Sequence, residues 1–164
     1  MGIPFNADEV FEMAEEIERN GGRFYRKAAG KFPALRKLLL DLAVMEDEHQ
    51  KIFAAMRTRL SDEETESPVF DPDGEAQMYL RVMADGNVFD LKADPAEKLA
   101  DVETAEDLLK MAMGVERDSI TFYVGLRESV PPKAGRDKVD GIIREEMKHI
   151  AVLNERLESL ERAR

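Results

Sequence analysis

Apolar residues recur at three- and four-residue steps in four long stretches of the chain, the spacing of helices that each bury one face. In the first stretch the stripe is Val10, Ala14, Ile17, Gly21, Phe24 and Ala28. Asn6 followed by Glu9 has the form of a capping box, in which each side chain satisfies the other's free backbone N–H. The first helix is therefore predicted to start at Asn6 and to run to about Gly30. Mid-helix glycine costs about 1 kcal/mol relative to alanine, so the pair Gly21-Gly22 predicts a close approach by a neighbouring helix. Pro33 suits the first turn of a second helix, with Leu35, Leu38, Leu39, Leu42, Met45, Phe53, Met56 and Leu60 on its apolar side. Thr104 can cap a third, with Asp107 at the capping-box position and Leu108, Leu109, Ala112, Val115, Phe122 and Leu126 facing inward. It is predicted to end near Ser129, ahead of Pro131-Pro132. A fourth runs from about Arg136 to Leu160 through Val139, Ile142, Ile143, Ile150, Leu153, Leu157 and Leu160.

Short gaps join the first helix to the second and the third to the fourth, which predicts two antiparallel hairpins. Residues 61–103 between them are rich in Asp, Glu and Pro, with one short helical piece marked by Ala76, Tyr79, Leu80 and Met83. A helix of about 27 residues is only about 40 Å long, so this connection can run the length of a bundle and leave the second and third helices parallel. The predicted fold is all-α: a ferritin-like four-helix bundle, two antiparallel hairpins joined by a long crossover containing a short helix, in one domain over residues 1–164.

Hydrophobic residues at 43% and charged residues at 36% are those of a soluble globular chain. The net charge of −11, from 35 acidic and 24 basic residues, would repel nucleic-acid backbones and anionic bilayers, so neither is expected as a partner. There is no cysteine, which excludes disulfides, thiolate zinc sites, cysteine-bound iron and cysteine nucleophiles. Residues 1–8 lack a basic stretch followed by an apolar run, and no apolar segment approaches the roughly 20 residues that span a bilayer, so a cytoplasmic location is expected.

The chemistry lies in a repeat. Glu18-Arg19 is followed by Phe24-Tyr25, and Glu116-Arg117 by Phe122-Tyr123 at the same offset; the second and fourth helices carry Glu46-x-x-His49 and Glu146-x-x-His149. Residues three apart share a helix face. All six of these glutamates and histidines fall in the apolar seams, so they are predicted to point inward. Four carboxylates in a bundle core would lose several kcal/mol of hydration each unless protonated, paired or metal-bound. Two divalent cations would balance them, and carboxylate oxygen with neutral imidazole suits iron, manganese or zinc. One Glu from each of two helices plus Glu-x-x-His from the other two is the known carboxylate-bridged dimetal set. Tyr25 and Tyr123 sit two turns after Glu18 and Glu116, where each either hydrogen-bonds a ligand carboxylate or serves as a core aromatic. The methionines, Met45 and Met147 among them, read as gap-filling core or near-core residues.

Through these four motifs the chain resembles the rubrerythrin-like branch of the ferritin-like superfamily over essentially its whole length. The resemblance implies a di-iron site with Glu18 and Glu116 as terminal carboxylates, Glu46 and Glu146 as bridges, and His49 and His149 as nitrogen ligands. It implies reduction of peroxide or dioxygen, or oxidation of ferrous iron, and a homodimer. Two departures stand out. The chain has no cysteine to hold a rubredoxin iron, so electrons are expected from a separate donor protein; and Ser119 stands where rubrerythrins carry an additional carboxylate one turn after Glu116. Iron handling, or a structural zinc or manganese site that only stabilises the bundle, are the alternatives.

Overall fold

The capping box at the start of the chain forms: the Asn6 side chain accepts from Glu9 N at 2.8 Å and the Glu9 carboxylate from Asn6 N at 2.9 Å. From it α1 runs over Ala7–Lys31. The computed structural model describes residues 5–60, 71–84, 93–130 and 134–164, and every regular element among them is helical. Pro33 opens a separate 3₁₀ turn, Pro33–Leu35, before α2 begins at Arg36–Arg57. A proline disfavours helical backbone at the residue before it, and Phe32 indeed adopts φ −121°, ψ 78°. The chain therefore turns before it coils. α3 spans Glu75–Ala84, α4 spans Ala105–Ser129 and α5 spans Arg136–Arg162. Thr104 caps α4 by accepting from Asp107 N at 3.1 Å, and Gly135 supplies the left-handed φ of 103° that precedes α5.

Side-chain pairs fix the helix directions. Asp8 near the start of α1 meets Arg57 at the end of α2, at 2.5 and 2.9 Å, so these helices are antiparallel. Tyr25 of α1 reaches Glu116 of α4, and Tyr123 of α4 reaches Glu18 of α1, so that pair is antiparallel too. It follows that α2 and α4 run parallel, as the long connection predicts. Arg127 opposite Asp140 at 3.4 Å closes the second hairpin, α4 with α5. The fold is the ferritin-like bundle with one long crossover.

The described parts of that crossover are tied down at both ends of the bundle. Leu80 and Met83 of α3 pack with Phe122 and Leu126, while Tyr79 donates to Thr121 O. A second piece, the 3₁₀ segment Pro95–Asp101, buries Ala96 and Leu99 beside α1, where Lys27 donates to Ala96 O (3.1 Å) and Lys31 to Leu99 O (2.6 Å). Apolar periodicity does not reveal this segment, because one or two turns are too short to show a repeat. Residues 61–70 and 85–92 of the predicted crossover, and Pro131-Pro132, lie outside the described residues.

The core falls into two apolar clusters. One gathers Phe24, Leu39, Leu42, Leu109, Leu153 and their neighbours; the other gathers Phe11, Phe53, Leu80, Phe122, Leu126 and theirs. Between them lies a buried polar layer. Met45 and Met147 depart from the core reading, at 45% and 57% exposed. Met45 stands one residue from the inward-facing Glu46, about 100° around the helix, and three- and four-residue steps do not separate the edge of a stripe from its centre.

Candidate metal centre

The polar layer is built from the six predicted residues, Glu18 on α1, Glu46 and His49 on α2, Glu116 on α4, and Glu146 and His149 on α5, none more than 3% exposed. Helical spacing puts each Glu-x-x-His pair on one face, and bundle packing turns the four faces toward a common point. His49 Nδ1 lies 2.8 Å from Glu146 Oε1 and 3.4 Å from Glu18 Oε2. His149 Nδ1 lies 3.0 Å from Glu146 Oε2, 3.3 Å from Glu116 Oε1 and 3.5 Å from Glu46 Oε1. The two imidazoles stack with centroids 5.7 Å apart and planes inclined by 17°. Room for Glu46 comes from Gly21: a Cβ there would run into Glu46 Oε2, while one at Gly22 would approach Asp47 Oδ1 of the same helix. This is the close helix contact that the glycine pair predicts.

The donor atoms form two overlapping groups, Glu18, Glu46, His49 and Glu146, and Glu46, Glu116, Glu146 and His149, each with one atom per residue within 4.8 Å of all the others. They are near one another but poorly aimed for hydrogen bonding. Glu18 Oε2, Glu46 Oε1, Glu116 Oε2, both oxygens of Glu146 and Nδ1 of both histidines are buried with no hydrogen-bond partner. Buried polar atoms are nearly always satisfied, so seven converging orphans mark a place for cations, and the set of hard oxygens and imidazole nitrogens fits two divalent ions of the iron, manganese or zinc type.

Metal-free, the layer holds protons instead. Burial, reinforced by the neighbouring carboxylates, pushes Glu46 and Glu116 up to about 8 and Glu18 well above the usual carboxylate range. Burial also raises Glu146, but contacts with His149 and His49 outweigh it and lower this carboxyl to about 2. For the histidines burial favours the neutral ring, yet the carboxylates in contact win, raising His49 to about 11 and His149 to about 12. Protons on three of the carboxyls and on both imidazoles take the place of the metal charge.

Residues 9–157 match the Rubrerythrin family model. The chain belongs to the rubrerythrin family. A solved structure from Thermotoga maritima, described as a ferritin-like diiron-carboxylate protein, has the same fold at a TM-score of 0.69 with 23% identity, over 96% of this chain and 98% of that one. No curated protein sequence matches.

Around the rubrerythrin-family layer, each tyrosine hydroxyl donates across the bundle, Tyr25 to Glu116 Oε1 and Tyr123 to Glu18 Oε1. Ser119 turns inward but donates to Val115 O of its own helix at 3.1 Å. Two contacts went unread in the sequence: Glu145 Oε2 lies 2.7 Å from His49 Nε2, and Met45 Sδ lies 3.1 Å from His149 Nε2. Their signal was register, since each immediately precedes a Glu-x-x-His motif. A cleft of about 460 Å³ between α2 and α5 is lined by Leu38, Met45, His149 and Val152, among others. Among the described residues no helix is long and apolar enough to cross a membrane.

Proposed function

We propose that the chain is a di-iron carboxylate oxidoreductase that reduces peroxide or dioxygen with electrons from ferrous iron and is reset by a separate electron donor. The observation that carries this reading is the sharing of Glu46 and Glu146 between two overlapping donor groups. A carboxylate common to both groups can bridge two ions, while Glu18 with His49 and Glu116 with His149 each serve one. When bound, two ferrous ions would supply two electrons to peroxide or dioxygen. The choice of iron is supported by membership of the rubrerythrin family and by the description of the Thermotoga maritima protein.

The chain's own residues do the rest. The four glutamates would balance the charge of two divalent ions, and the histidines would present Nδ1 after releasing the proton held there. Tyr25 and Tyr123 hold one oxygen of Glu116 and of Glu18, leaving the second oxygen of each free to ligate. The two apolar clusters keep bulk water from the layer on either side. With no cysteine to carry a rubredoxin-type iron, the reductant is assigned to another protein.

The test begins with metal analysis by mass spectrometry on protein purified without nickel, before and after anaerobic loading with ferrous iron. About two irons per chain are expected, falling toward zero when Glu46→Ala and His149→Ala are combined. Rapid mixing of the loaded protein with peroxide should then oxidise it faster than free ferrous iron. No metal under either condition would overturn the reading, and so would two irons that react no faster than the free ion. Sustained turnover of added ferrous iron without a reductant would replace it with ferrous iron oxidation as the activity.

A further inference from the structure

The repeat that matches Glu46 with Glu146 and His49 with His149 also matches Met45 with Glu145, each one place before its motif. Chemically the two are unlike. Each side chain reaches the histidine of the other hairpin: Glu145 Oε2 is 2.7 Å from His49 Nε2, and Met45 Sδ is 3.1 Å from His149 Nε2. A carboxylate and a thioether both accept, the first strongly and the second weakly. When Nδ1, the nitrogen turned to the buried glutamates, gives up its proton to a metal, the proton on Nε2 therefore stays with that acceptor. The ligands themselves are matched, since each half has one histidine, one glutamate held by a tyrosine and a share of Glu46 and Glu146.

We propose that Glu145 and Met45 are positioning residues that make the two halves of the centre inequivalent, the ion between Glu18 and His49 binding first and more tightly than the one between Glu116 and His149. The inference rests on the metal-centre reading above. A carboxylate accepting the far N–H of a ligating imidazole fixes the ring and raises the basicity of the nitrogen on the metal, and removing such a partner weakens binding about 10- to 100-fold. Glu145 gives His49 that support. Met45 gives His149 a weak acceptor, and it does so beside the cleft between α2 and α5, where the His149 ring forms part of the lining. Glu145 and Met45 both line that cleft, so the inequality lies in the acceptor each offers and not in its exposure.

Cobalt(II) titration of the metal-free protein separates the inference from the reading beneath it. Bound metal after desalting gives the stoichiometry, and the ligand-field absorption of the cobalt distinguishes the two environments. Two steps are expected, separated by about 10- to 100-fold in affinity. Glu145→Gln should weaken the tight step about tenfold or more and change its absorption, leaving the weak step in place; Met45→Glu should tighten the weak step. Side chains 53% and 45% exposed can be changed without opening the core, so the metal-free variants should keep the helical circular dichroism of the parent. Two ions bound with no separation of steps, or steps that neither variant shifts, would overturn the inference while leaving the metal centre standing. No bound cobalt would overturn the metal-centre reading itself.

Discussion

At the scale of single residues, the crossed tyrosines show most clearly how the layer is held. Tyr25 and Tyr123 are fully buried, and burial together with the nearby carboxylates pushes both hydroxyls well above the usual phenol range. They remain donors at any working pH. Spacing along the helix puts each tyrosine within reach of the carboxylate layer without naming its partner; the fold gives each the glutamate of the facing helix. Tyr25→Phe removes the donor to Glu116 Oε1 and leaves a buried oxygen unsatisfied. The expected effect is a loss of about 1–3 kcal/mol in urea unfolding of the metal-free protein, and metal binding weaker by about tenfold in direct titration. Unchanged values in both would mean that the tyrosine serves only as a core aromatic.

Among the elements, α3 depends on a glycine of α4. A Cβ at Gly125 would run into the Tyr79 ring and come within 3.3 Å of Leu80 Cδ2. The ring cannot simply swing away, because its hydroxyl donates to Thr121 O and its neighbour Leu80 is fully buried. Overpacking of this kind costs about 1–3 kcal/mol, against a gain of about 1 kcal/mol in helix propensity. Gly125→Ala is therefore expected to lower the melting temperature, while Gly141→Ala, where a Cβ meets nothing within 4 Å, should raise it. A rise in both would show that α3 is not seated on Gly125. The short helix itself was legible from Ala76, Leu80 and Met83, all buried as their spacing predicts. Its seat was not, because a contact between α3 and α4 leaves no periodic trace in either.

The whole molecule carries the layer's protons as a pH dependence of stability. Glu46 and Glu116 keep protons to about pH 8 when folded, against an ordinary value of 4.5, so their contribution is complete below 4.5 and is lost as pH rises toward 8. His49 and His149 act in the same direction from 6.5 upward, toward about 11 and 12. Glu146 alone works the other way, its contribution being lost only as pH falls from 4.5 toward about 2. The metal-free protein is thus expected to melt at a higher temperature at roughly pH 5 than at roughly pH 8. Metal competes with the same protons, so loading should reverse or abolish that order. Calorimetry of both forms at the two values checks it; a metal-free protein more stable at the higher pH would contradict the layer's proton inventory.

The sequence by itself determined the helices, the pairing of hairpins and the six residues of the buried layer, because helical periodicity and capping are local and place a residue on a face without knowledge of its neighbours. Burial of Glu18, Glu46, His49, Glu116, Glu146 and His149 could be read from their positions in apolar seams. Tertiary structure alone decided which groups meet: Tyr25 with Glu116, Tyr123 with Glu18, Glu145 with His49 and Met45 with His149. Each of these contacts depends on the vertical register of one helix against another, which packing sets and no spacing within a single helix encodes.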